Sequence, residues 1–174
     1  MNKFLIGISG KMGSGKTTMS QMILDGAPMQ GERIAVASPI YDVVDLIYNR
    51  LDIKLEGDKD RDLMISLGLW GRNRDPNFWL DQFTRKVESS NCKLIVCDDI
   101  RFPNEANYFE QHGILIRLKG EQRGANVDSN IQNLTETALD EYPFDHYVDN
   151  SYGIEDTFEQ ILDIILRSKN ENML

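Results

Sequence analysis

Gly10-Lys11-Met12-Gly13-Ser14-Gly15-Lys16-Thr17 is the stretch that decides the fold. It fits the pattern G-x-x-x-x-G-K-[ST], in which a glycine-rich turn cradles phosphate oxygens. The pattern carries weight here because of its flanks. Phe4 to Ser9 is a short apolar run that reads as a buried strand. Thr17 to Leu24 has helical spacing, with Met19, Met22 and Ile23 on one side. Each residue type has a physical reason to be there. Glycines at 10, 13 and 15 let the backbone curl so that successive N–H groups converge on an anion. The helix that follows offers its positive N-terminus to the same anion. Lys16 should reach the outer phosphates of a nucleotide, and the Thr17 hydroxyl should ligate Mg²⁺. The expected binding loop for ATP is therefore Gly10, Lys11, Met12, Gly13, Ser14, Gly15, Lys16, Thr17 and Thr18.

Outward from this loop, strand-like and helix-like stretches alternate. Arg33 to Ala37 reads as a second strand. Ser38-Pro39 then offers a helix cap and a first-turn proline. Val43, Val44, Leu46, Ile47 and Leu51 fit the apolar face of that helix. Asp58 to Leu69 looks helical, and Asp75-Pro76 opens another helix to about Val87. Lys93 to Cys97 is nearly all apolar, as suits a central parallel strand covered on both faces. Asn104 to Gln111 is a helix closed by Gly113, and Ile114 to Leu118 is a fourth strand. Lys119 to Asn133 has no clear period and reads as a mobile loop. Leu134 to Leu139 is a short helix, and His146 to Val148 a weak fifth strand. Ile154 to Leu166 is an amphipathic helix with Phe158, Ile161, Leu162 and Ile165 toward the core. The alternation predicts an α/β chain, three layers deep, with a mainly parallel sheet of roughly five strands. Ligands of such sheets bind beyond the carboxyl ends of the strands.

Composition narrows the function. The chain has 174 residues, enough for one domain with one core, and a formal net charge of −9. That acidity argues against a nucleic-acid polymer as partner. No apolar run is long enough to span a bilayer, and the N-terminal apolar stretch is too short for a signal peptide, so a cytoplasmic protein is expected. Cys92 and Cys97 give no metal-ligand spacing with His112 or His146. Cys97 should pack as a small apolar residue, and the two histidines as surface or structural groups.

A second element follows the third strand: Cys97-Asp98-Asp99-Ile100-Arg101-Phe102-Pro103-Asn104-Glu105. A carboxylate ending an apolar strand beside a phosphate loop is where an Mg²⁺-organising group belongs. Adjacent strand residues face opposite ways, so only one of Asp98 and Asp99 can point at the phosphates. The other is free to cap the next helix. Arg101 stands where it could hold an acceptor phosphate or offset charge in the transition state. No Asn-Lys-x-Asp element for guanine is found, and the chain is short for an oligomeric motor. Small size leans toward a small-molecule kinase.

Together these residues resemble the bacteriophage deoxynucleoside monophosphate kinases, a branch of the P-loop nucleotide kinases. The family's Asp-x-Arg-Phe-Pro-Asn-Glu signature is matched by Asp99 to Glu105. Its middle Gly-Arg and Trp look like Leu69 to Trp79, and its carboxyl end looks like Asp145 to Asn150 with the helix from Ile154. Where the family commonly has His-x-Ser-Glu, this chain reads Asn133-Leu134-Thr135-Glu136. The resemblance implies a P-loop kinase fold over residues 1–174, with an acceptor-binding helical region at about 38–91 and a lid-like loop at about 119–133. It makes Asp99 the carboxylate on the Mg²⁺ side, beside Thr17. It implies transfer of the ATP γ-phosphoryl group to a (deoxy)nucleoside 5′-monophosphate. Ser38, Tyr41, Arg72 and Arg74 are then acceptor candidates with Asp99 and Arg101. Trp79 either stacks on a base or packs in a core, as helical tryptophans more often do. Arg123 is the candidate lid arginine, with Arg117 as its substitute, so Lys16, Arg101 and Arg123 form the expected catalytic set. Two alternatives stand beside this reading. One is a kinase for another small acceptor, such as dephospho-coenzyme A. The other is a nucleotide-binding module with little transfer activity. Either could form a homodimer through the helix at Ile154 to Leu166.

Overall fold

Four short apolar runs and one polar one assemble into a single parallel sheet in the computed structural model, which describes residues 3–55, 57, 59–120 and 137–171. Strand β1 (Phe4–Gly10) lies at the centre. On one side it pairs with β3 (Leu94–Cys97), on the other with β4 (Gly113–Lys119). The edges are β2 (Gly31–Arg33) beside β3 and β5 (His146–Asp149) beside β4. The order is β2-β3-β1-β4-β5, and every pairing is parallel. Ile6 faces Val96 on one neighbour and Ile114 on the other. The four residues of β3 are all buried, which is why that run lacks an alternating pattern.

Helices cover both faces. Helix α1 (Lys16–Gly26) and the C-terminal helix, numbered α6 below (Ile154–Glu171), lie on one face. Met19, Ile23, Ile161 and Ile165 pack there against Ile6, Ile8, Val96, Ile116 and Val148. The other face carries α5 (Pro103–His112), whose Phe109 is fully buried. Gly7 of β1 makes that approach feasible, since a Cβ there would stand 2.7 Å from the Phe109 ring. The sequence therefore needs a glycine in the middle of an apolar strand.

The chain divides into two compact units, Ile34–Ser90 and the remainder. Within the Ile34–Ser90 unit, α2 (Ser38–Leu51), α3 (Arg61–Arg72) and α4 (Phe78–Ser89) pack on one another. Its buried residues include Ile40, Val44, Leu80, Phe83 and Val87. Helix α3 buries two glycines, Gly68 and Gly71. Trp79 lies against that bare strip and donates its indole N–H to the Gly68 carbonyl at 3.1 Å.

Several expectations are corrected. Ile34 to Ala37 is not strand. β2 runs only as far as β3 offers partners, and the next residues turn, with the Ser38 N–H on the Ala35 carbonyl at 3.0 Å. Ser38 begins α2 rather than capping it. Ala37 holds the cap position, and the buried Ser38 hydroxyl has no hydrogen-bond partner. The helix expected at Asp58 starts later. Asp60 caps it through the Leu63 N–H at 2.9 Å, and Tyr48 also donates to Asp60. These bonds hold the Asp60 carboxyl below its usual range, the Leu63 amide most of all. Asp75 makes a turn on the Asn77 N–H, and α4 opens two residues beyond Pro76. Leu46 and Leu51 are exposed at 66% and 63%; of the expected face Val44 is buried, and Pro39 and Ile40 are buried with it. Leu162 is likewise exposed, while Thr157 is buried. Of the short helix expected at Leu134 to Leu139, residues 134–136 lie outside the described residues and 138–139 form a turn. Among the described residues, no helix is long and apolar enough to cross a membrane.

Candidate phosphate-binding site

The site begins where β1 ends. At this point the strand order changes direction, with β3 on one side of β1 and β4 on the other. Such a switch leaves a crevice at the carboxyl ends of the strands. Gly13 and Gly15 take φ values of 76° and 86°, the left-handed region that side-chain-bearing residues avoid. Two left-handed residues one apart fold Lys11 to Gly15 back over the start of α1. The Ser14 N–H closes the loop on the Lys11 carbonyl at 3.2 Å. The Lys16 ammonium lies on the loop, donating to the carbonyls of Gly10 at 2.8 Å and Lys11 at 2.7 Å. The Ser14 hydroxyl is buried and has no partner among the described residues, so an acceptor or donor is wanted there. Thr17 and Thr18 stand exposed in the first turn of α1.

An open cleft of about 650 Å³ adjoins the loop. Gly13, Ser14, Gly15 and Thr18 line one part of it, and Asn150, Tyr152, Gly153 and Thr157 the other. The second group comes from the turn between β5 and α6. Behind the loop, Arg117 of β4 donates to the Ser9 hydroxyl at 2.8 Å and to Asp140 at 3.2 Å. Ser9 in turn donates to the Ile100 carbonyl at 3.0 Å. Lys11 also meets Asp140, at 2.6 Å. Arg117, a candidate for closing on a substrate, is thus tied into the floor of the loop.

The end of β3 supplies the carboxylates. Asp98 is 2% exposed. One of its oxygens accepts from the Arg33 Nε–H at 2.7 Å, and the other is buried with no partner among the described residues. Partial burial pulls the Arg33 guanidinium down, but the Asp98 hydrogen bond and the Asp98 and Asp99 charges outweigh it, so the group is raised. Asp99 is half-buried and accepts from the Cys97 thiol at 3.1 Å. Glu105 braces the start of α5, taking the N–H groups of Arg101 at 2.8 Å and Phe102 at 3.1 Å on one oxygen. The loop bearing Arg101 is therefore fixed by the glutamate four residues on. That bond explains the physical content of the Arg-Phe-Pro-Asn-Glu run. Among the described residues, no group of three or more His, Cys, Asp or Glu is placed to hold a metal. Mg²⁺ sites need fewer, because one or two carboxylates and the substrate's phosphates share the coordination. Asp99 and the exposed Thr17 have the chemistry that requirement asks for, and the second Asp98 oxygen has no partner among the described residues.

The other candidates lie in the Ile34–Ser90 unit. Tyr41 on α2 has the Lys59 ammonium over its ring at 5.2 Å. Arg72 ends α3 beside Gly68. Arg74 stacks on Trp70 at 3.9 Å and donates to the Trp70 carbonyl at 3.2 Å. Trp79 is 4% exposed, and it packs edge-on against Phe78. It is one wall of a cleft of about 750 Å³ that Pro39, Val43, Leu67 and Trp70 also line. Arg123 lies outside the described residues, as do Asn133, Thr135 and Glu136. The sequence reading gave no role to Arg33, Ser9 or Asp140, and it named Asn150 only as the end of the carboxyl-terminal resemblance. Arg33 carried a signal, a charge ending a strand, whereas the other three meet their partners only through folding.

No family model matches the chain, and no curated protein matches it either. Solved structures do. A shikimate kinase from Aquifex aeolicus is 15% identical with a TM-score of 0.56, covering 96% of this chain and 98% of its own. The protein TT1252 from Thermus thermophilus is 16% identical with a TM-score of 0.56, covering 97% and 98%. A gluconokinase from Sinorhizobium meliloti is 13% identical with a TM-score of 0.51, covering 98% of both chains. Likeness at such identities speaks to architecture, and this chain has the three-layer α/β fold of the P-loop kinases, built on a five-stranded parallel sheet.

Proposed function

We propose that the protein is an ATP-dependent phosphotransferase acting on a small acceptor, and that the acceptor is a (deoxy)nucleoside 5′-monophosphate. The observation that carries the transferase reading is the loop at the end of β1. It joins two left-handed glycines, a lysine lying on the loop and the free N-terminus of α1. The names of the similar solved structures, shikimate kinase and gluconokinase, support phosphoryl transfer to a small molecule. The monophosphate acceptor rests on Asp99 to Glu105, which match the phage kinase signature.

In the reaction, an oxygen of the acceptor's 5′-phosphate attacks the γ-phosphorus of ATP. The bond between that phosphorus and the β–γ bridging oxygen breaks, and ADP departs with the electron pair. The products are ADP and a nucleoside diphosphate. The acceptor phosphate is already an anion, so the protein needs no strong base. Lys16 and the N–H groups at the start of α1 would hold the outer phosphates and offset the charge that builds there. Thr17 and Asp99 would hold Mg²⁺, which when bound supplies neutralisation of the same charge. Arg101, on a loop fastened by Glu105, would hold the acceptor phosphate.

The test is a panel. Purified protein is incubated with ATP, Mg²⁺ and, in turn, each ribo- and deoxynucleoside monophosphate, dephospho-coenzyme A, shikimate and gluconate, and ADP is followed. Turnover with a nucleoside monophosphate supports the full reading. Turnover with another acceptor alone keeps the transferase and discards the nucleotide acceptor. ADP no faster than with ATP alone, throughout the panel, leaves only a binding module.

A further inference from the structure

The plane of the Ser14–Gly15 peptide turns on ψ of Ser14 and φ of Gly15, and Gly15, a glycine of positive φ, leaves that rotation less restricted than a side chain would. The peptide's two polar groups are treated differently. The Ser14 carbonyl accepts from the Asn150 side-chain amide at 2.5 Å. The Gly15 N–H, at the cap position of α1, makes no hydrogen bond among the described residues. A trans peptide is planar, and its C=O and N–H point in opposite directions. Whatever holds the carbonyl therefore also aims the N–H. Rotation of this plane would exchange the two, putting a carbonyl dipole where an anion expects a donor.

Asn150 is itself held. Its own N–H donates to the Lys119 carbonyl at 2.8 Å, tying it to the end of β4. Asp149 before it turns back onto the Ser151 N–H at 2.8 Å, and Gln160 of α6 donates to the Asp149 carbonyl at 3.0 Å. Gly120 leaves the space that the Asn150 carboxamide fills, since a Cβ there would overlap it. The side chain thus reaches the loop from a fixed base.

We propose that Asn150 is a positioning residue. By holding the Ser14 carbonyl it sets the direction of the Gly15 N–H, so that this donor meets the nucleotide's phosphates. The inference rests on the phosphate-loop reading above and adds to it a residue on the far side of the cleft. It also couples the wall formed by the β5–α6 turn to the phosphate loop, because one residue belongs to both.

Asn150→Asp keeps the shape and removes the donor, as a carboxylate only accepts. Gly120→Ala displaces the carboxamide without altering it. Binding of ADP, inorganic tripolyphosphate and adenosine to the whole protein and to both variants is measured by calorimetry, with thermal melts alongside. For Asn150→Asp, ADP and tripolyphosphate should bind about 10- to 100-fold more weakly, as for a lost hydrogen bond to a charged group, while adenosine changes by less than about twofold. Gly120→Ala should show the same selectivity at smaller size. If adenosine weakens as much as ADP, Asn150 merely shapes the cleft wall and the proposal fails. Unchanged ADP binding in Asn150→Asp also overturns it. If the unaltered protein binds neither ADP nor tripolyphosphate more tightly than adenosine, the phosphate-loop reading itself falls, and the proposal with it.

Discussion

The loop at the end of β1 and the helical unit Ile34–Ser90 use opposite means of building a surface. The loop presents backbone, shaped by Gly13 and Gly15 and braced from behind by Ser9, Arg117 and Asp140. The helical unit presents side chains. Trp70 is half-exposed, Arg74 is stacked on it, and Trp79 is fixed on the glycine strip of α3. Backbone donors suit phosphate, which is the same in every nucleotide. Side-chain walls suit whatever differs between acceptors. Under the proposed function the difference teaches where each kind of information would sit: the reaction type in a loop with little freedom to vary, and specificity in packing that spacing alone does not encode.

The contrast can be broken at several points. The largest stability effect should come from the sheet's own core. Phe109→Ala empties a fully buried site against Gly7 and should cost about 3–5 kcal/mol in urea unfolding. A loss below about 1 kcal/mol would mean that α5 is not held as described. Next is chemistry. Lys16→Ala should lower kcat by about 10²–10³-fold, the size expected for removing one donor to developing charge. Its melting temperature should stay near that of the parent, since the Lys16 ammonium bonds the Gly10 and Lys11 carbonyls of its own loop. Trp79→Phe comes third. It removes the indole donor from the Gly68 carbonyl and leaves a gap over the glycine strip, and should cost about 1–3 kcal/mol in the same unfolding assay, with kcat following only if the cleft beside it holds substrate. Smallest is Leu51→Ala, on the exposed side of α2, which should stay within about 0.5 kcal/mol. A larger loss there would reveal a partner for that surface.

Much of the fold was legible because strands here announce themselves. Leu94 to Cys97 reads apolar throughout because it is covered on both faces, and the glycine loop marks the end of β1. The helical unit was less legible. Val43, Leu46 and Leu51 have helical spacing, but a period says only that a helix has two sides. Which side is buried depends on α3 and α4. Capping misled for a related reason. Ser38 and Asp75 are good caps by type, yet the chain turned one residue earlier at Ala37 and two residues later at Asn77. Of the site, residues consecutive in sequence were visible: the loop, the aspartates, Arg101 and Glu105. Those brought in from a distance were not. Asn150 lies 136 residues from Ser14, and Asp140 lies 129 from Lys11. Nothing local signals such a partner, because the bond exists only once β4 and β5 are paired.

The most direct test of the central claim follows the phosphorus itself. ATP labelled at the γ-position is mixed with Mg²⁺, the protein and each deoxynucleoside 5′-monophosphate, and the products are separated. The account predicts label in the β-phosphate of a deoxynucleoside diphosphate, appearing about 10²–10³-fold more slowly when Lys16 is replaced by alanine. Label found only in inorganic phosphate, with every monophosphate recovered unchanged, would contradict it.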